Sequence, residues 1–159
     1  MQQRSTQKRV MRKITLLVVF VLMCETTWAS GNTQEYECAT KDQSGVQHVL
    51  KIKLDSKRLI EYVAYRTMTP KGIDCVIEAS RQGSINGWES SVWEKVENTI
   101  KIKLMADGQE MAMFDIRQNG NSYRLVVKEV RPEAVCGLNG YLGTSINLDV
   151  LSKDCVVDK

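Results

Sequence analysis

Histidine is nearly absent from this chain. His48 stands alone among 159 residues, and proline occurs only as Pro70 and Pro132. A lone imidazole with no nucleophile motif beside it leaves little room for serine- or cysteine-centred hydrolases, which hold a base against the attacking group. The Gly-x-Ser-x-Gly elbow, the phosphate-binding P-loop and the dinucleotide fingerprint are all missing. So is any Cys-x-x-Cys pair or cysteine clustered with histidine, the spacing that holds zinc. Glu89, Glu94 and Glu97 crowd one segment, but acids at such spacing read as a solvated face rather than a catalytic carboxylate pair. No apolar run reaches the roughly 20 residues needed to cross a bilayer core.

What is present begins with an export signal. Arg4, Lys8, Arg9, Arg12 and Lys13 precede the apolar block 14–24 with no acid among them. That block has the length of a signal-peptide core, and Thr27 and Ala29 supply a small-x-small pattern for cleavage after Ala29 or Ser30. The expected organisation is a cleavable signal over 1–29 and one domain over 30–159. Met11 offers a second start with the same outcome. Cys24 closes the apolar run, but the bulky Met23 before it argues against a lipid-attachment site. Five of the 22 basic residues and one of the 19 acids lie in the signal, which leaves 17 basic against 18 acidic residues in the domain. The net charge of +3 therefore belongs to the signal. It supports neither nucleic-acid binding nor a polybasic membrane surface.

Removal of Cys24 leaves Cys38, Cys75, Cys136 and Cys155, an even set that predicts disulfides in an oxidising compartment. Three pairings are possible. Cys38 with Cys75 and Cys136 with Cys155 is favoured on the ground that sequence neighbours close the shorter loops.

From residue 35 onward short alternating runs are separated by turn residues. Strands are predicted over 35–39, 46–54, 58–66, 73–79, 91–96, 99–105, 110–117, 122–130 and 145–151. Asn86-Gly87, Asp107-Gly108, Asn119-Gly120 and Asn139-Gly140 are strong turn signals because they tolerate positive φ. Leu50, Ile52 and Leu54 alternate with Lys51 and Lys53, and Ile100, Ile102 and Leu104 with Lys101 and Lys103, so these strands have one wet face. The fold class is mostly β: an antiparallel meander forming a small barrel or a two-sheet sandwich, stabilised by disulfides, with the barrel preferred. At the Asp107-Gly108 hairpin, a three-residue loop over 106–108 is preferred. It aligns Ile102 with Ala112 and Ile100 with Phe114, and leaves Met111 and Met113 on the lysine face.

Binding is the remaining class of function. Large side chains beside turns, Trp88 and Tyr141, together with Trp93 and Asn139, are the candidate partner-binding residues, since aromatics on rigid loops often anchor recognition. Glycines and Cys136 make 136–144 a presented loop held by a bridge. The Met111 and Met113 thioethers, with Met105 as a third, are the candidate metal ligands, of the kind that take Cu(I), although Lys101 and Lys103 alongside oppose a cation. No cofactor is implied. Tyr36-Glu37-Cys38, Val92-Trp93-Glu94-Lys95 and Cys155 resemble, in scattered positions, the small β-barrel periplasmic inhibitors of c-type lysozyme. The Ser-Gly-x-x-Tyr inhibitory loop of that family has no counterpart in Ala79-Ser80-Arg81-Gln82-Gly83. The expected function is an exported, non-enzymatic protein, periplasmic or secreted, that binds a protein partner as an inhibitor or immunity factor against a wall hydrolase or secreted toxin. The alternative is a small-ligand or copper carrier using a barrel interior or the methionine pair.

Overall fold

Alternation along the chain becomes rows of inward and outward side chains in a computed structural model, which describes residues 33–72, 74–85, 89–136 and 140–158. The expected signal over 1–29, with Cys24, lies outside the described residues, as do Trp88 and Asn139. Strands β1 (Gln34–Lys41), β2 (Gln47–Leu54), β3 (Ile60–Met68) and β4 (Asp74–Ser80) form one antiparallel sheet in sequence order. The second sheet is also a meander. It contains β5 (Ser90–Val96), β6 (Thr99–Ala106), β7 (Gln109–Asn119), β8 (Ser122–Val130), β9 (Ser145–Asp149) and β10 (Cys155–Asp158). A short helix, α1 (Pro132–Val135), follows β8 and starts with proline at its first turn, where the missing N–H costs nothing.

No strand pairs across from one sheet to the other among the described residues. The arrangement is a two-sheet sandwich, and the preferred closed barrel is corrected. Cross-strand rows of the first sheet explain its inward face. Cys38 stands beside Leu50, Leu50 beside Tyr65, and Tyr65 beside Ile77. All four are buried. From the other sheet, Ile102 faces Phe114 and Leu104 faces Ala112, again buried. Burying one such Leu, Ile or Phe contributes about 1.5–3 kcal/mol. Leu50, Ile52, Leu54, Ile102, Leu104, Phe114 and Leu125 have no accessible surface at all, so the interior is filled rather than hollow. The outward lysines pair instead: Lys51 reaches Glu35 at 2.6 Å, and Lys103 reaches Glu110 at 2.8 Å.

The disulfides join Cys38 to Cys155 and Cys75 to Cys136, with Cα separations of 5.5 and 4.0 Å. The favoured pairing of sequence neighbours is therefore wrong, and strand spacing says why. Cys38 on β1 and Cys75 on β4 are three strand steps apart, about 14 Å at ~4.8 Å per step. A disulfide spans at most about 7 Å between Cα atoms. What closes is the long loop: Cys38–Cys155 staples β1 of one sheet to β10 of the other, and Cys75–Cys136 ties β4 to the end of α1. Both bonds fit an oxidising environment outside the cytoplasm. Among the described residues no helix is long and apolar enough to cross a membrane.

The Asp107-Gly108 hairpin departs from the preferred three-residue loop. Ala106 pairs with Gln109 across a two-residue turn in which Asp107 (φ 51°) and Gly108 (φ 68°) are both left-handed. A bulge then absorbs one residue, so Leu104 meets Ala112, Ile102 meets Phe114 and Ile100 meets Ile116. The separation of apolar from charged faces holds, but the register differs by two residues. β10 and α1 have no counterpart among the predicted elements.

Candidate functional site

His48 is fully buried on the inward face of β2, where the Leu50 and Ile52 pattern places it. It is not isolated. Its Nδ1 lies 2.8 Å from Tyr65 Oη on β3, and its Nε2 lies 3.2 Å from Asp42 Oδ2 in the β1–β2 turn. Asp42 organises that turn with its other oxygen, accepting from Ser44 N at 2.9 Å, Ser44 Oγ at 2.6 Å and Val46 N at 3.0 Å. The hydrogen bond from the Ser44 hydroxyl is the chief reason the Asp42 carboxyl is held down to about 2, with His48 assisting against the opposing effect of desolvation. Burial raises the Tyr65 phenol, partly offset by a bond from the Gly143 backbone N–H. One assignment satisfies every group: Tyr65 O–H donates to Nδ1, Nε2–H donates to Asp42, and Gly143 N–H donates to Tyr65 Oη.

A tyrosine, a histidine and an aspartate in series have the connectivity of an activated nucleophile. Burial decides against that use, because Tyr65 and His48 have no accessible surface and both ring nitrogens are engaged. What the network does is carry a loop. Residues 140–144 cross over this end of the first sheet, fixed at several points. Thr67 Oγ1 donates to the carbonyl of Tyr141, Gly143 sits on Tyr65 and His48, and Cys136 anchors the entry to Cys75. At the exit, Thr144 accepts from Val127 N at 2.8 Å. Two glycines are required by close approach rather than by positive φ. A Cβ on Gly140 would stand 2.6 Å from Cys75 Sγ, and one on Gly143 would stand 2.5 Å from Tyr65 Oη.

Tyr141 is presented by this loop with 49 % of its surface exposed, its ring edge-on to His48 at 6.5 Å. Beside it lies a cleft of about 530 Å³ lined by Lys41, Asp42, Tyr141, Val156, Val157 and Asp158. Val156 is 60 % exposed. Asp158 is held in place by Ser145 Oγ at 3.0 Å, Asn147 Nδ2 at 3.2 Å and Arg124 at 2.7 Å. An exposed aromatic, an exposed aliphatic and two fixed carboxylates thus face one concave surface.

The other candidate residues are not gathered here. Trp93 on β5 is partly buried against the core, donates from Nε1 to Ser91 Oγ at 2.8 Å, and is covered by Arg81, whose guanidinium carbon lies 4.6 Å from the ring centre. Ser91 Oγ in turn donates to the carbonyl of Ser80 at 2.9 Å. Trp93 therefore helps seal β5 against β4 at the Tyr62–Ser80 end of the first sheet, opposite the Thr67–Cys75 end that carries Tyr141. Met113 stands across from Lys103 and Glu129 on the outer face, as the sequence suggested. Met111, the bulged residue, packs against the core, so the two thioethers do not form a pair on one face. Among the described residues no cluster of three or more His, Cys, Asp or Glu side chains is placed to hold a metal.

Neither a protein-family model, nor a curated protein, nor a solved structure matches this chain.

Proposed function

We propose that the domain is exported by the signal over 1–29 to the periplasm or the cell exterior and acts there without catalysis, binding a protein partner through the Tyr141 loop. The observation that carries this reading is the loop itself. A disulfide, a side-chain bond to its backbone and two glycines, Gly140 against that disulfide and Gly143 on the buried Tyr65 and His48, fix it, while Tyr141 stays half exposed. Fixing a loop before binding reduces the ordering cost of association, and a rigid aromatic beside a cleft is the usual form of an interface hot spot. An inhibitor or immunity factor directed at a wall hydrolase or secreted toxin suits a small, rigid, doubly bridged domain of this kind. Burial of His48 and Tyr65 supports binding over turnover.

The test is capture from envelope extract on the oxidised mature domain, followed by affinity measurement with the purified partner. Tyr141→Ala is expected to retain the wild-type melting temperature and to weaken binding at least about 30-fold, the hot-spot range. Trp88→Ala, made in parallel, asks whether Trp88 contributes. A partner bound equally well by wild type and Tyr141→Ala would refute the assignment of the loop.

A further inference from the structure

The opposite end of the sandwich has a second concavity, and its chemistry differs. A cleft of about 590 Å³, within the usual range for small-molecule sites, is lined by residues of both sheets beside Arg81. Half-buried Ile100 from β6 lies on its floor, over the buried Ile60 of β3 and Ile116 of β7. Leu59, 51 % exposed, stands at its lip. Its rim carries Arg58, Arg81 and Lys95.

These three cations are uncommitted to acids. Among the described residues, no ion pair involves any of the three rim cations. Arg81 donates from Nε to the Ile60 carbonyl at 2.8 Å and lies over Trp93, which fixes the guanidinium at the mouth with its terminal nitrogens free to donate. Two acids also line the rim. Asp55 accepts at Oδ1 from the Lys57 and Leu59 backbone amides at 2.8 Å each, and Glu97 occupies the exposed β5–β6 turn. Cations still exceed acids around the opening.

We propose that this cleft binds a single-chain anionic amphiphile, its head group against Arg58, Arg81 and Lys95 and its alkyl chain on Leu59 and Ile100. A small polar anion would leave the apolar floor wet, and a neutral hydrocarbon would leave the cations unanswered. An anionic head on an apolar tail satisfies both. The site lies outside the filled interior, and it does not rest on the Tyr141 reading.

Dodecanoate below its aggregation concentration is the probe, titrated by calorimetry and by tryptophan fluorescence, since Trp93 lies directly under Arg81. Saturable 1:1 binding is expected, at least tenfold tighter than dodecyltrimethylammonium, with acetate giving no heat. The Arg58→Asn/Lys95→Glu double variant changes only exposed side chains, and asparagine tolerates the left-handed φ of 62° at position 58. It should keep the wild-type melting temperature and lose affinity at least tenfold. Ile100→Gln should weaken binding to a similar degree. Equal binding of anionic and cationic amphiphiles, unchanged affinity in the double variant, or uptake seen only on anionic phosphatidylglycerol vesicles would each overturn the proposal.

Discussion

Gly143→Ala tests whether the loop is seated on the buried polar network as described. The added Cβ would lie 2.5 Å from Tyr65 Oη, 3.0 Å from His48 Cε1 and 3.3 Å from His48 Nδ1. Neither ring can yield cheaply, because both are inaccessible and each holds the other through the 2.8 Å bond. The backbone at Gly143 is not left-handed, so alanine brings no φ strain. By restricting the unfolded chain it would contribute about 0.4–1 kcal/mol of stability. Against that stand an overpacking cost of about 1–3 kcal/mol and a similar cost for any buried polar group left unsatisfied. The clash wins, by about 2–4 kcal/mol, which lowers Tm by roughly 10 °C in a domain of this size. Guanidinium denaturation of the oxidised protein measures it. Tyr65→Phe removes the oxygen that the new methyl meets, so the Gly143→Ala/Tyr65→Phe protein should be less destabilised than the sum of the single variants by about 1 kcal/mol or more. A Gly143→Ala variant within about 0.5 kcal/mol of wild type, or strict additivity in the cycle, would show that the loop does not rest on Tyr65.

Non-reducing peptide mapping should recover Cys38 with Cys155 and Cys75 with Cys136. On the chain-entropy account, closures of 117 and 61 residues contribute about 5 and 4 kcal/mol taken singly, so loss of either bridge by paired alanine substitution should lower the denaturation midpoint sharply. The Asp42 carboxyl, held at about 2 in the folded protein against an ordinary value of 3.8, contributes stability that is fully present above about pH 4 and is lost as pH falls through 2. Asp42→Asn should remove that acid-sensitive component from thermal melts between pH 4 and 2. An unchanged pH profile in the variant would show that Asp42 is not the group responsible.

Strand positions were legible in the sequence because they depend on a period of two. Eight predicted strands fall within two residues of β1–β8 at both ends, and alternation alone put Leu50, Ile52, Ile102 and Leu104 on the inward face. What failed was long-range. Disulfide pairing depends on which strands are edges, and β10, only four residues after a turn, carries too little pattern to reveal that it lies beside β1. Asp42, His48 and Tyr65 illustrate the same limit at the candidate site. The Asp42 turn was not among the turn signals read, whereas alternation with Leu50 and Ile52 put His48 on its correct face. Its contact with Tyr65 follows from a register in which Leu50, not His48, stands directly opposite Tyr65. Asn139-Gly140 was read as a turn for its tolerance of positive φ, whereas Gly140 is needed because the Cys75–Cys136 bridge leaves no room for a Cβ.

The filled interior moves the question of function to the two ends. A lipocalin-like use, with ligand inside the sheets, requires accessible surface on residues such as Phe114 and Leu125, and they have none. Each end is instead finished differently. At the Thr67–Cys75 end, one covalent bond and a saturated polar network support a loop that itself covers the core, so its exterior is available for contact without exposing apolar interior. At the Tyr62–Ser80 end no bridge is present among the described residues. The sheets are held by Trp93, Arg81 and Ser91, and Leu59 and Ile100 line the opening. Along β3 the ends are separated by the seven steps from Ile60 to Thr67, about 23 Å of rigid strand at ~3.3 Å per residue. A macromolecular contact at Tyr141 and a small amphiphile at Arg81 can therefore coexist, each supported by its own set of side chains.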